Sequence, residues 1–124
     1  MNRVTLIGNI SQEPELKQTD SGRSVCEFTI AANERYRDSD GEWQQGRTDF
    51  VPVTAWGTLG ENVYHSLAKG DRVIVTGRMQ LRSWKNTDDD GNEDGTFGNA
   101  TDVVAEGIGL ELTFTKAAVL EEVQ

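Results

Sequence analysis

Aromatic and basic side chains share one face of two predicted strands, where they could bind a ligand that offers flat rings and negative charge. Strict alternation in "DFVPVTAW" turns the small aliphatic residues toward a core and places Phe50 and Trp56 on the opposite face. The same alternation in "RVIVTGRMQLRSW" places Arg78, Arg82 and Trp84 on the non-core face. A soluble protein normally gives that face to polar residues, so the rings need an explanation.

A surface of rings and cations is typical of proteins that bind single-stranded nucleic acid. Each unpaired base offers a flat face, and stacking contributes roughly 1 to 3 kcal/mol per base without sequence preference. Duplex DNA keeps its base faces inside the helix. A single outward ring has a plainer interpretation, which is packing against another subunit, a loop or the helix. The three rings and two arginines taken together favour nucleic-acid binding.

A third segment, "NERYRD", places Tyr36 between Arg35 and Arg37 directly after a predicted strand. Strict alternation would turn Tyr36 inward, but a bend or bulge at the end of a strand can re-aim a side chain. Two interpretations fit Trp43, in the polar segment "GEWQQG": a further contact with the ligand, or exposure to solvent without a role in binding.

The net charge of −9 argues at first against a nucleic-acid partner, but the charge is unevenly distributed. Residues 1–84 hold ten Lys and Arg against eleven Asp and Glu, whereas residues 85–124 hold two against ten. Whole-chain charge therefore says little about the local field over the aromatic face. The segment "DDDGNED" holds five acids and follows Trp84 and Lys85, so we expect it to repel phosphate and weaken binding.

The elements that must position these side chains are short strands and one helix. Periodicity predicts a helix over 58–70, with Thr58 and Glu61 at capping-box spacing and Gly70 at its end. Gly8 is expected to bend the first strand, and Pro52 to mark a bulge or a partly open stretch. Strands are predicted over 3–10, 25–33, 49–56, 72–84 and 101–114, a turn within 14–24, and loops over 37–46 and 85–99. This order predicts an all-β, five-stranded OB-fold barrel with one short helix between the third and fourth strands.

Enzymatic and metal-dependent functions find little support in the sequence. Nucleophilic catalysis needs a nucleophile and a base in reach, but the one cysteine, Cys26, and the one histidine, His65, have no recognisable partners. They also do not suggest a zinc site, and no phosphate-binding glycine loop is present, so we expect no cofactor and no metal. Asp90, Asn92 and Asp94 match half of a calcium loop, but a solvated acidic loop explains them better.

At these residues the sequence resembles the bacterial single-stranded DNA-binding protein family. The matching segments occur in the family's order across residues 1–112: "MNRVTLIGNI", "EPEL", "FTIAANERYRD", "TDFVPVTAWGTLGENV", "LAKGDRVIVTGRMQLRSW" and "TDVVAE". The resemblance implies an OB barrel, assembly as a homotetramer, and sequence-independent coating of unwound strands in DNA replication, recombination and repair. RNA-binding, primosome-type and oligosaccharide-binding OB modules are the alternatives, because stacking alone does not distinguish DNA from RNA.

The resemblance also assigns roles to individual residues. The implied stacking residues are Tyr36, Phe50, Trp56 and Trp84. The implied phosphate contacts are Arg3, Lys17, Arg37, Lys69, Arg78, Arg82 and Lys85, and Arg35 joins them because it flanks Tyr36. The first two rings are often tryptophan in the family, so they should stack somewhat less here. Some relatives have a basic residue where this chain has Pro52, which removes one phosphate contact.

The end of the chain departs from the family pattern. Family members commonly carry a Gly/Pro-rich linker and an acidic-hydrophobic tip that recruits replication and repair proteins, whereas this sequence ends in "LEEVQ". A trimmed chain fits this ending, and so does a paralogue or phage-type form, so recruitment of such proteins stays open. We expect an OB domain over 1–112 and a C-terminal extension over 113–124. The lone cysteine and the lack of a signal-like start predict a reducing compartment, and the resemblance implies the bacterial cytoplasm, near the nucleoid.

Overall fold

A computed structural model describes residues 2–37 and 39–121 of the chain, without the side chains of 33–37 and Gln45. Its elements are β1 (Arg3–Ile10), β2 (Glu15–Gln18), β3 (Ser24–Arg37), β4 (Trp43–Trp56), α1 (Gly57–Ser66), β5 (Arg72–Thr87) and β6 (Glu93–Leu110). The five long strands and the helix between the third and fourth of them confirm the predicted OB barrel. The four-residue β2 is additional, and it lies within the segment predicted as a turn.

One sheet closes on itself to form the barrel. The strand order is β1-β5-β6-β4-β3-β2, and a further β1–β3 pairing joins the two sides. The pairings are antiparallel except between β4 and β6, which run parallel over Val53↔Val103 and Thr54↔Val104. This parallel pairing begins at Val53, directly after Pro52. The edge of β4 that faces β6 is thus paired over two residues, in agreement with the partly open stretch predicted at Pro52.

Alternating aliphatic side chains fill the barrel. Inward residues of the long strands are almost fully buried, and Val63 of α1 closes one end. Leu59 and Leu67 pack partly against the same core, which confirms the apolar stripe of the helix. Cys26 lies in the core, and burial, followed by the charge of Glu27, raises the pKa of its thiol. The largest fully buried side chains are those of Ile10, Ile30, Val53, Val73, Val75 and Val103.

Gly8 allows the close approach that closes the barrel. A Cβ at this position would overlap the carbonyl oxygen of Ala31 on β3. Beyond Gly8, β1 pairs with β3 through Asn9↔Ala31 and Ile10↔Ile30. The predicted bend therefore corresponds to the point where β1 crosses from β5 to β3.

The helix is shorter than predicted. It ends at Ser66, and Leu67 is its C-cap, whereas Gly70 has a φ of 96° in the turn before β5 and donates its N–H to the carbonyl of Ile10. The predicted capping box is also absent. Trp56 is the N-cap without a side-chain hydrogen bond, and Glu61 instead accepts a 2.7 Å hydrogen bond from the Ser24 hydroxyl.

Two segments predicted as loops are the ends of long hairpins. β3 and β4 continue to Arg37 and Trp43, and β5 and β6 continue to Thr87 and Glu93. We call residues 33–50 the β3–β4 arm and residues 79–102 the β5–β6 arm. The β5–β6 arm is largely exposed on both faces, and its residues 85–99 show no alternation of apolar and polar residues that would predict a strand.

The acidic segment 88–94 forms the tight turn of the β5–β6 arm. Asp88 Oδ1 accepts the N–H groups of Asp90 and Asn92 at 3.0 and 2.9 Å, and Gly91 adopts a φ of 85°. Asp94 accepts hydrogen bonds from the hydroxyl and N–H of Thr96, and these lower the pKa of its carboxyl. The acids that were predicted to be a solvated loop therefore also close a hairpin.

The segment after β6 returns to the barrel. Glu111 forms an ion pair with Arg72 at 2.6 Å and accepts hydrogen bonds from the N–H and hydroxyl of Thr113. The hydrogen bonds from Thr113, followed by the one from Arg72, lower the pKa of the Glu111 carboxyl. The ring of Phe114 lies 5.6 Å from the Arg72 guanidinium. Among the described residues, no helix is long and apolar enough to span a membrane.

Candidate nucleic-acid interface

Phe50 and Trp84 are the most open of the predicted stacking rings whose side chains are described. Phe50 is 65% exposed on β4, where it pairs across the strands with Ala31. Trp84 is 48% exposed on the β5–β6 arm. Both rings lie on strands with continuous pairing at these residues, so their positions are set by the sheet.

The orientation of Trp84 depends on its cross-strand neighbour. Gly98 lies directly opposite in the register, and a Cβ there would overlap the indole. The indole Nε1 donates a 3.0 Å hydrogen bond to Asn86 Oδ1, and Asn86 donates to Thr96 Oγ1 at 2.9 Å. The absence of a side chain at Gly98 and this pair of hydrogen bonds fix the ring against the arm.

Trp56 is half-buried where β4 meets α1. The Arg23 guanidinium lies over its ring, with Cζ 4.4 Å from the ring centroid. Arg23 was not among the residues predicted from the sequence. The contact joins the turn before β3 to the end of β4, and no local pattern in "DSGRS" indicates it.

The side chains of Arg35, Tyr36 and Arg37 lie outside the described part of the structure. Their backbone belongs to β3, and Tyr36 is opposite Gln44 in the register of the β3–β4 arm. Their predicted contacts with bases and phosphates therefore stay predictions.

Two further rings are exposed on the arms. Trp43, at the start of β4, is exposed, in agreement with one of its two sequence interpretations. Phe97 is 63% exposed and was not predicted. It is opposite Lys85 in the register, one residue from the Trp84–Gly98 pair, so it lies on the other face of the β5–β6 arm from Trp84.

Most of the predicted phosphate contacts are paired with carboxylates of the chain itself. Glu106 lies between Arg3 and Arg78, at 3.2 and 4.0 Å. Lys85 is 3.6 Å from Glu93. Lys17 is 3.7 Å from Glu15 and 3.4 Å from Glu27. Lys69 makes no ion pair within the described residues. At Arg3, Arg78, Lys85 and Lys17, phosphate would therefore have to compete with an exposed carboxylate.

Arg82 differs because its partner is buried. Its guanidinium lies 2.9 Å from Asp102 Oδ2, and the whole of Asp102 is only 7% exposed. Asp102 Oδ1 has no hydrogen-bond partner among the described residues. Removing Arg82 would leave this carboxylate without its charge partner, so we assign Arg82 a structural role in addition to any contact with phosphate.

A groove beside this pair is acidic. It has a volume of about 250 Å³ and is lined by Arg82, Asp102 and the outer faces of β3 and β4. Glu13, Glu15 and Glu27 line the same groove. These carboxylates disfavour phosphate inside the groove itself.

The residues considered for other chemistry do not form a site in the described part of the chain. No group of three or more His, Cys, Asp or Glu side chains is placed to hold a metal ion there. In the half-match to a calcium loop, the Asp94 carboxylate is hydrogen-bonded to Thr96. The ring of His65 contacts Tyr64 edge-on at 5.2 Å.

Comparisons with known proteins agree with this architecture. A sequence model of the single-strand binding protein family matches residues 1–110. The chain is 40% identical over 117 residues to a single-stranded DNA-binding protein of Corynebacterium glutamicum, covering 94% of this chain and 49% of that one. It is 43% identical over 89 residues to single-stranded DNA-binding protein 1 of Clostridium acetobutylicum, covering 71% and 78%.

A solved structure shares the fold. The crystal structure of a small single-stranded DNA-binding protein from Streptomyces coelicolor superposes with a TM-score of 0.72 at 30% identity, covering 89% of this chain and 94% of that one. The chain spans about half the length of the Corynebacterium relative and 60% of single-stranded DNA-binding protein 1 of Chlorobaculum tepidum.

Proposed function

The chain belongs to the single-strand binding protein family, and from this premise we propose that it binds single-stranded DNA without sequence preference. In this role it coats and protects unwound strands during replication, recombination and repair. The relatives' names support this function. The observation that carries it is the exposure of Phe50 and Trp84 on rigid paired strands, with cations on the same elements.

Base stacking is the proposed source of sequence-independent affinity. Phe50 and Trp84 are open to bases in the free protein, whereas Trp56 is half-buried under Arg23. Tyr36 completes the proposed set at the end of β3. Each ring that stacks on a base contributes roughly 1 to 3 kcal/mol, which is enough for several weak contacts to give tight binding together.

Phosphate contacts are the proposed source of salt dependence. Exposed ion pairs such as Lys85–Glu93 contribute only about 0–1 kcal/mol, so a phosphate can replace the carboxylate at small cost. Each phosphate contact with a single strand lowers the slope of log K against log salt by about 0.7. The proposed contacts are Arg3, Lys17, Arg35, Arg37, Lys69, Arg78, Arg82 and Lys85.

Assembly, location and the limits of the domain are part of the same proposal. We propose a homotetramer in the bacterial cytoplasm, associated with the nucleoid, which binds DNA through residues 1–112 and carries 113–124 as an extension. Catalysis forms no part of the proposed role. Sedimentation of the purified chain tests the oligomeric state, and a monomer at micromolar concentration would contradict the tetramer.

The function is tested by titrating the protein with poly(dT), poly(U) and a duplex of equal length at two salt concentrations. We expect quenching of tryptophan fluorescence by poly(dT), weaker binding at high salt, and little binding of duplex. Equal or tighter binding of poly(U) would indicate an RNA-binding module. Failure of poly(dT) to bind at low salt would overturn the proposal.

The site is tested by the double variant Trp56→Ala/Trp84→Ala. Loss of two stacked bases should weaken poly(dT) binding by well over tenfold while the barrel stays folded. Because the variant removes two of the three tryptophans, binding is followed with a dye-labelled oligonucleotide. Phe97→Ala is the matched control, since it removes an exposed ring from the other face of the β5–β6 arm. Equal losses in the double variant and in the control would refute the assignment.

A further inference from the structure

Arg23 is held over Trp56 by a well-bonded turn between β2 and β3. Thr19 donates its N–H to the carbonyl of Arg23 at 2.9 Å, and its hydroxyl accepts the Arg23 N–H at 3.2 Å. Gly22 donates to the Thr19 carbonyl at 2.8 Å with a φ of 86°. The base of the Arg23 side chain is therefore fixed, and its exposed guanidinium lies across the ring.

Arg23 also differs from the other arginines in its charge environment. Five arginines lie within salt-bridge distance of a carboxylate: Arg3, Arg47, Arg72, Arg78 and Arg82. Of the arginines whose side chains the structure describes, Arg23 is the one without such a partner. Its described contact is the face of an aromatic ring, so its positive charge is available to an anion.

We propose that Arg23 is a displaceable cap on Trp56 and that, once displaced, it binds the phosphate beside the stacked base. This inference rests on the proposed function. An exposed cation–π contact is weaker than the stacking of a base on the same ring. A nucleobase can therefore replace the guanidinium on Trp56, and the released cation lies next to the backbone of the same nucleotide.

The cap gives the two tryptophans of the interface different properties. Trp84 offers an uncovered face in the free protein, whereas Trp56 accepts a base only after Arg23 moves. Trp84 is thus suited to first contact, and Trp56 to a second step in which one weak contact is exchanged for a stack and a phosphate contact. Arg23 extends the interface from the arms to the β2–β3 turn.

The test compares Arg23→Ala, Arg23→Lys and the wild type in binding dye-labelled oligo(dT) across a tenfold range of salt. Arg23→Ala should lower the magnitude of the salt slope by about 0.7 for each subunit that binds DNA. With one subunit engaged, its disadvantage against the wild type should therefore shrink about fivefold from the lowest to the highest salt, and by a further factor of about five for each additional subunit that binds. Arg23→Lys, which keeps the charge, should keep the wild-type slope.

Lys116→Ala is the matched control, because it removes one exposed charge that has no ion pair within the described residues and no described contact with a ring. It should leave the slope unchanged. Arg23→Ala with a wild-type slope would overturn the phosphate contact. Equal losses in Arg23→Ala and Arg23→Lys would mean that a base stacks on the guanidinium itself, and would overturn the displaceable cap.

The cap is tested separately in the free protein. In a Trp43→Phe/Trp84→Phe background, Trp56 is the sole tryptophan, and Arg23→Ala should make its fluorescence more accessible to acrylamide. Unchanged quenching would refute the cap. Thermal melting checks that each variant is folded. If the wild type does not bind oligo(dT), the proposed function fails. If the wild type binds and the Arg23→Ala variant is indistinguishable from it, only the inference about Arg23 fails.

Discussion

The barrel and the β5–β6 arm share the strands β5 and β6, yet the two regions are held in different ways. In the barrel, Val73 and Val75 of β5 are fully buried. Six residues further along the same face, Leu81 is 72% exposed. β5 continues through this change, and its pairing with β6 extends from Val73↔Leu110 to Thr87↔Glu93, with register shifts after Thr76 and after Lys85.

The difference shows that burial of apolar side chains and hydrogen bonding between strands support different parts of the molecule. In the barrel, removal of apolar surface from water stabilises the strands and fixes which residues face inward. In the arm, cross-strand hydrogen bonds and the Asp88 turn maintain the hairpin with both faces in water. The arm can therefore present rings and cations to a ligand on a rigid support that contributes little to the core.

The largest expected effect is on the barrel side of this comparison. Ile30→Ala should lower the free energy of unfolding by about 2 to 5 kcal/mol, because it opens a cavity at a fully buried position. Leu81→Ala, an aliphatic truncation in the arm, should change it by no more than about 0.5 kcal/mol. Urea unfolding measures both. A loss at Leu81 as large as that at Ile30 would mean that the arm is part of the cooperative core.

A smaller effect is expected on the arm side, and it concerns binding. Gly98→Ala should displace the Trp84 ring, since the new Cβ would overlap the indole. We expect poly(dT) affinity to fall by up to about tenfold, equivalent to about 1.4 kcal/mol of stacking, with little change in stability. Asn99→Ala, on the opposite face of the arm, is the control. Equal affinity in the two variants would show that the orientation of Trp84 does not matter.

The smallest expected effect concerns the turn of the arm. Asp89→Asn/Asp90→Asn/Glu93→Gln removes three negative charges and releases Lys85, while Asp88 and Asp94 keep their hydrogen bonds. Affinity for poly(dT) should rise severalfold at low salt and return to the wild-type value at high salt, because exposed charges are screened. An unchanged affinity at low salt would show that the acids do not oppose binding.

The comparison also explains how far the sequence could predict the fold. Alternation identifies a strand where one face is buried, so residues such as Ile30 and Val53 predicted the barrel and its order. Residues 37–46 and 85–99, at the ends of the arms, lack that signal, and their glycines and acids were interpreted as loops. Gly91 and Gly95, both with positive φ, are in fact the turn and bulge residues of a hairpin.

The sequence predicted those residues of the candidate site whose exposure follows from the alternation of side chains along a strand. Phe50 and Trp84 are exposed, as alternation predicted. Arg23 and Gly98 were missed, because their contacts with rings depend on how strands distant in sequence are aligned. The pairing of Arg82 with a buried carboxylate was missed for the same reason: Asp102 lies 20 residues further along the chain.

The parallel contact between β4 and β6 has a consequence for synthesis of the protein. β6 follows the other five strands in the sequence, and it pairs with both β5 and β4. Until Val103 and Val104 emerge, those neighbours keep unpaired edges, and the nascent chain has no closed ring to protect them. The barrel is therefore expected to close only after β6 has been made, with contacts far apart in sequence setting the rate of folding.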